Sequence, residues 1–367
     1  MAAFLAKNTS FNLLFSTVGV LTIGLLSCHK SDNPANPVVK GSRHLGVHIT
    51  PAQNQDYPSA FSQARSAGVD CIPYTFQWTA LEAGGSYDPQ GLMGDINAFY
   101  GTQPVSLSLC LSPIAANKRD LPADLMQTAF DDPLMIRRFN QLLDTMHGRM
   151  PAATILYLLI GNEVDLYFSQ HPGEWPAYTS FCQAARAHAR ALWGNQLLVG
   201  AETTLGAAIA ADHQAIDNLQ AGMDMVCLTY YPLDNNFRMQ PASQADADFT
   251  MLLGRYPGRP VLMQEVGYAT SSVCSGSDSA QASFVKGMFQ LWDRHADQMI
   301  YIAFLWLNDL SDAQSQAVTA SYGLTGTSVE TTFTAYIRSL GLCDVQGVPK
   351  PGFLTLQQQA AARGWKP

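Results

Sequence analysis

Ile155-Leu156-Tyr157-Leu158-Leu159-Ile160-Gly161-Asn162-Glu163 is the stretch that decides the architecture. A strand with water on one face alternates apolar and polar side chains. A run that is apolar throughout belongs to a strand covered on both faces, as strands of parallel sheets are. The glutamate that closes the run is costly to bury unless it points into a solvated cleft. Working outward, comparable short apolar runs occupy 44–49, 71–76, 104–111, 197–202, 225–229, 260–264 and 300–305.

Between these runs the apolar spacing changes. Phe139, Leu143, Met146 and Met150 fall at steps of three and four. The same holds for Trp175, Tyr178, Phe181 and Ala185, and for Phe284, Met288, Leu291 and His295. Each set places one apolar stripe on a helix, ready to cover a sheet. Eight strands alternating with helices predict an α/β fold, a (β/α)8 TIM barrel, in one domain over 41–367. The rival is an open doubly wound sheet. The glycine-rich phosphate turn expected after its first strand is missing, and His48-Ile49-Thr50-Pro51 stands there instead.

The first residues read as a secretory signal. Lys7 supplies a positive start, 11–26 is largely apolar, and the stretch ends Leu25-Leu26-Ser27-Cys28. That ending resembles the bacterial lipobox, which implies cleavage after residue 27 and a lipid on Cys28. The polar, Pro-rich segment over 28–40 then reads as a flexible tether. Together they predict a cell-envelope protein, lipid-anchored to the outer membrane on its periplasmic or outer face.

The net charge of −8 is spread along the chain with no basic stripe. Nucleic acid is therefore excluded as a partner, and uncharged substrates suit the balance better than polyanions. The spacing of Cys71, Cys110, Cys182, Cys227, Cys274 and Cys343 fits neither a zinc site nor a small disulfide scaffold. Cys71, Cys110 and Cys227 lie in apolar runs and read as buried thiols; a disulfide stays open in an oxidising compartment.

In a barrel of this kind chemistry sits where strands end at the C-terminal face. Strand four ends in Asn162-Glu163, and strand seven runs into Gln264-Glu265-Val266-Gly267. Strands four and seven are three apart on an eight-strand ring, so Glu163 and Glu265 face each other across the mouth. Two such carboxylates divide the acid and nucleophile roles when their surroundings separate their pKa values. His48 closes strand one and either lines the cleft or is a satisfied structural histidine. A metal-dependent hydrolase needs clustered His and Asp at strand ends. His48 alone does not provide them, so neither metal nor other cofactor is expected.

The ordered set of motifs resembles the clan A glycoside hydrolases, which are (β/α)8 retaining enzymes with Asn-Glu at the end of strand four and Glu at the end of strand seven. Trp78-Thr79-Ala80-Leu81-Glu82, Trp306 at the end of strand eight and Gly347-Val348-Pro349-Lys350-Pro351 agree with it. Thr229-Tyr230-Tyr231-Pro232 is similar to the endo-β-1,4-galactanases of family 53. The resemblance implies Glu163 as acid/base, Glu265 as nucleophile, Asn162 as partner of the sugar 2-hydroxyl and Tyr230 as hydrogen-bond donor to the nucleophile. Trp306 and Trp78 are implied as stacking platforms for sugar faces. Many clan members carry an Arg near the end of strand two; Cys71-Ile72-Pro73-Tyr74-Thr75-Phe76-Gln77-Trp78 has none. Other donors, Tyr230 foremost, must then stabilise an ionised Glu265.

The expected activity is retaining cleavage of β-glycosidic bonds in a plant-type or environmental polysaccharide or oligosaccharide, by a monomer. The alternative is a non-catalytic glycan-binding surface lipoprotein on a hydrolase-like barrel.

Overall fold

The computed structural model describes residues 37–367. Cys28 and the signal segment lie outside the described residues. Eight parallel strands form the frame: β1 (His44–Val47), β2 (Cys71–Gln77), β3 (Ser106–Ala115), β4 (Ile155–Asn162), β5 (Leu198–Thr204), β6 (Val226–Tyr230), β7 (Val261–Val266) and β8 (Met299–Phe304). Their order is 1-8-7-6-5-4-3-2, so every neighbour in space is a neighbour in sequence apart from the β1–β8 junction. The two ends of this path, β1 and β2, meet through Asp70. Its amide donates to the Leu45 carbonyl at 3.0 Å, and its carboxylate accepts the Leu45 amide at 2.8 Å and Lys40 Nζ at 2.7 Å. The (β/α)8 barrel is thereby closed.

The apolar runs do what parallel strands require. One face of the strands packs inward as a small cluster that includes Cys71, Cys110, Tyr157, Leu159, Cys227, Leu262 and Tyr301. Only glycine fits at position 46, because a Cβ there would overlap the Tyr301 hydroxyl and the Ala303 side chain. The other face meets the helices. Helix Pro133–Arg149 starts with Asp132 capping the Leu134 amide at 2.7 Å and Pro133 at its first position. It buries Phe139, Leu143 and Met146 against Tyr178, Phe181 and Ala185 of helix Trp175–Trp193. Each of these large side chains contributes about 2 kcal/mol by leaving water. The stripes at 139–150, 175–185 and 284–291 thus face the core as their spacing predicts, whereas His295 ends its helix half-buried.

All eight strands differ from the expected bounds by a residue or more; β1 stops at Val47, so His48 follows it, and β5 runs on to Thr204. β3 runs on to Ala115 and forms a hairpin with Lys118–Arg119. β4 includes Asn162, and β7 includes Glu265. The six cysteines at 71, 110, 182, 227, 274 and 343 are buried free thiols. At the end of the barrel opposite the strand C-termini, buried Asp293 holds Arg43 at 3.2 Å and Arg363 at 2.7 Å. The same Arg43 donates to the Val38 and Val39 carbonyls, at 2.8 and 3.2 Å. Among the described residues no helix is long and apolar enough to cross a membrane.

Candidate active site

Glu163 owes its position to the two residues before it. Gly161 has φ 80°, and a Cβ there would overlap the Tyr178 hydroxyl and the Val164 side chain. Tyr178 in turn donates to the Ile160 carbonyl at 2.9 Å. The chain turns sharply at this point, and Glu163 itself takes φ 45°, in the left-handed region that costs a non-glycine residue on the order of 1–3 kcal/mol. The short helix Val164–Phe168 follows at once. Asp165 does not cap that helix. Its two oxygens accept the Thr204 amide at 2.7 Å and the Thr204 hydroxyl at 2.8 Å, tying the end of β4 to the end of β5.

Glu265 is placed by a bulge. Met263 pairs with Leu228 and Glu265 with Thr229, so Gln264 is an extra residue in β7. Such bulges re-aim side chains beside active sites. The Gln264 side chain turns into the barrel and accepts the Ser108 hydroxyl at 2.6 Å.

Glu163 and Glu265 line one cavity of about 290 Å³ at the barrel mouth, together with Asn162, His48, Tyr231 and Trp306. Each carboxylate has one hydroxyl donor. Thr229 donates to Glu163 Oε1 at 2.8 Å, and Tyr231 donates to Glu265 Oε2 at 2.7 Å. Burial, followed by the nearby charge of Glu265, pushes Glu163 up to about 7. Burial also raises Glu265, and the Tyr231 hydrogen bond works against that rise. The pair is arranged for one carboxyl to hold a proton near neutral pH while the other carries the charge.

A third carboxyl lies beneath them. Glu202 on β5 is fully buried; its Oε1 accepts the Asn162 amide at 3.3 Å, and its Oε2 has no partner. Burial and then the charges of Glu265 and Glu163 raise it well above the carboxylate range. Three carboxyls in one low-dielectric space do not all ionise together, and burial works hardest against the charged form of Glu202, which is fully enclosed.

The residues singled out from sequence divide as follows. Glu163, Glu265, Asn162, His48 and Trp306 are brought together in the cavity. His48 Nε2 bonds the Gln264 carbonyl at 3.0 Å, and burial depresses its pKa to about 4, so it is a neutral wall of the site. Tyr230 is not the donor to Glu265. It faces outward from β6, packs on Phe249 and gives its hydroxyl to Asp248 at 2.7 Å. The donor is Tyr231, because side chains alternate along a strand and Thr229 and Tyr231 share the inward face. Trp78 is no sugar platform either. It is fully buried against Phe139, with ring centroids 5.0 Å apart, and its Nε1 donates to Glu82 at 2.6 Å. No cation replaces the missing strand-two Arg; Thr75 of β2 lines the cavity, and among the described lining residues there is no Lys or Arg.

Sequence reasoning missed Glu202, Tyr231, and the aromatic wall of Tyr322, Phe333 and Tyr336 contributed by the segment after β8. Glu202 carried a signal, since it closes the apolar run 197–202 as Glu163 closes its own. The aromatic wall carried none, because its helices have ordinary amphipathic spacing.

No family model matches the sequence, and no curated protein does. Solved structures do. An exo-beta-1,4-mannosidase from Opitutaceae bacterium strain TAV5 superposes with a TM-score of 0.66 at 17% identity, over 87% of this chain and 59% of its own. A GH5_18 protein from Bifidobacterium longum subsp. longum in complex with Manb1-4GlcNAc gives 0.66 at 17% identity, over 89% of this chain and 79% of its own. The GH53 catalytic domain of Ignisphaera aggregans gives 0.60 at 16% identity, over 88% and 97%. At these identities the likeness is one of fold: the chain is built on the barrel these glycoside hydrolases share.

Proposed function

We propose that the protein is a retaining glycoside hydrolase that cleaves β-glycosidic bonds by double displacement, with Glu163 as acid/base and Glu265 as nucleophile. The observation that carries this reading is the shared cavity, in which two glutamates at the ends of β4 and β7, Glu163 buried and Glu265 partly so, each have one hydroxyl donor and, among the described lining residues, no Lys or Arg beside them. In the first step the Glu163 proton passes to the glycosidic oxygen. A Glu265 oxygen bonds the anomeric carbon as the carbon–oxygen bond to the leaving group breaks. In the second step Glu163, now ionised, takes a proton from water. The resulting hydroxyl bonds the anomeric carbon, and the ester bond to Glu265 breaks, which restores both carboxyls. Asn162 and Trp306 line the same cavity, which supports Asn162 as the partner of the sugar 2-hydroxyl and Trp306 as the platform for a sugar face. The solved neighbours that act on or hold β-linked mannose make mannosides the first substrates to try.

The reading is tested with a panel of β-linked oligosaccharides and nitrophenyl β-glycosides, reducing ends being measured. Glu265→Ala should abolish turnover. Glu163→Ala should slow it, least for substrates with good leaving groups, and azide should rescue this variant with formation of a β-glycosyl azide. A wild type that binds glycans without cleaving any would make the protein a binder. Wild-type turnover equalled by both variants would place the chemistry elsewhere. We also propose that the chain is held in the cell envelope by a lipid on Cys28; detergent partitioning that is the same in Cys28→Ser and wild type would refute this.

A further inference from the structure

Two cavities meet at Glu163. The small one, about 290 Å³, holds both glutamates. The larger, about 1420 Å³, has Glu163 and Tyr231 in its wall but not Glu265, and extends past the ends of β4, β5 and β6 toward the helices Trp175–Trp193 and Gln214–Ala221. The two catalytic groups have different neighbours in a glycoside. A nucleophile touches only the sugar whose anomeric carbon it attacks, whereas the acid also touches the leaving oxygen. The compartment that contains both therefore takes the sugar. The compartment that contains the acid alone takes whatever leaves.

The walls of that second compartment define what leaves. Leu166, Trp175, Ile209, Ala215, Leu233 and Phe237 give it a largely apolar surface. Among its described lining residues there is no Lys, Arg or His, and the groups that carry charge near neutral pH are all carboxyls. Asp165 and Asp248 already serve Thr204 and Tyr230. A phosphate, sulfate or uronate would meet only like charge here. A sugar chain needs hydrogen-bond partners ring after ring; Ser180, Gln183, Asn218 and Gln244 stand along the groove, but most of its exposed surface is apolar. An apolar group gains from leaving water along the whole groove.

We infer that the groove from Glu163 to Ile209 and Ala215 is the leaving-group site, and that it takes a bulky, uncharged, largely apolar aglycone. This rests on the hydrolase reading and sharpens it: one sugar is removed from a hydrophobic alcohol much larger than itself.

The test has a kinetic and a binding arm, each with octyl and methyl β-glycosides of mannose, glucose and galactose. The wild-type enzyme should cleave the octyl glycoside of its preferred sugar with a kcat/KM at least tenfold above the methyl glycoside. Ile209→Asp and Ala215→Trp, which charge and fill the groove by independent means, should each collapse that ratio toward one. In the binding arm the uncleavable S-octyl β-thioglycosides should bind wild type at least tenfold more tightly than either variant, with folding checked by circular dichroism. An octyl-to-methyl ratio near one, or one that both folded variants keep, overturns the assignment. So does a stronger preference for tetrasaccharides over octyl glycosides, which would give the groove to a sugar chain. Should no glycoside be cleaved, the hydrolase reading fails, and the binding arm still decides whether the groove takes apolar groups.

Discussion

Tyr231 donates its hydroxyl to Oε2 of Glu265 at 2.7 Å, and among the described residues it is the one side-chain donor that carboxylate has. The bond favours the ionised form of Glu265 against the burial that raises its pKa. Tyr231→Phe should therefore raise the Glu265 pKa further. A hydrogen bond to a charged group is worth about 1.5–3 kcal/mol, so the acid limb of kcat/KM should move up by about one to two pH units. Tyr230→Phe, which frees only Asp248, should leave that limb in place. Equal profiles for the two variants would show that neither tyrosine tunes the nucleophile.

Thr229 acts on Glu163 in the same sense. Its hydroxyl donates to the carboxyl, so Thr229→Val should raise the pKa above its present value of about 7 and carry the basic limb of kcat/KM upward. A basic limb that moves down would mean that the hydroxyl accepts a proton from Glu163 instead.

The raised pKa of Glu163 is also a stability statement. Folding lifts the group from its ordinary 4.5 to about 7, so the folded chain holds a proton that the unfolded chain has released over that window. Stability must then fall as pH rises from about 4.5 to 7. Glu163→Gln removes this loss, worth roughly 3 kcal/mol, and should melt several degrees above wild type at pH 8 while matching it at pH 4. Melting curves that coincide at pH 8 would contradict the burial argument.

Glu202 should behave as a neutral acid that holds Asn162. Glu202→Gln keeps shape and hydrogen bonding and should retain most of the turnover. Glu202→Ala leaves the Asn162 amide without its partner and opens a cavity, at a cost on the order of 2–3 kcal/mol. If Glu202 were ionised, the Gln variant would lose a negative charge beside Glu163 and shift the basic limb downward; an unmoved limb is expected.

The two tryptophans should separate cleanly. Trp306→Ala removes a wall of the cavity that holds Glu163 and Glu265 and should raise KM about tenfold or more with little change in melting temperature. Trp78→Ala empties the space beside Phe139 and takes one of the two donors from Glu82, leaving it Arg138. It should cost about 3–5 kcal/mol of stability, while correctly folded molecules keep the wild-type KM. A rise in KM for Trp78→Ala at low temperature would reinstate it as a contact of the sugar.

How much of this was legible in the sequence follows from the kind of signal each residue carried. Apolar runs with two covered faces announced the strands, and a carboxylate directly behind such a run announced Glu163 and Glu265. The same rule pointed at Glu202 as well, whose run ends in Glu followed by two threonines. Tyr230 was read as the donor in place of Tyr231 because a doubled tyrosine at a strand end is ambiguous until the register fixes which of the two faces inward. Trp78 was read as a platform because an aromatic residue behind a strand looks alike whether it tilts toward the mouth or begins a helix outside the barrel. Here Phe139 and Phe181, more than fifty residues downstream, pull it into the core. The aromatic wall after β8 and the bulge at Gln264 depend on how distant elements meet, and no local pattern encodes either.

The Asp293 clamp has a consequence for how the chain is made. Arg43 waits for a carboxylate 250 residues downstream, and that carboxylate is completed only by Arg363, a further 70 residues along. β1 likewise waits for β8. Domains start to fold from the N-terminal end while the ribosome is still adding residues, yet this ring has no closed form until its last helix is free. β1 thus passes through synthesis with an unpaired edge, the kind of edge that invites pairing with another chain. Its four-residue length keeps that edge short until the barrel shuts.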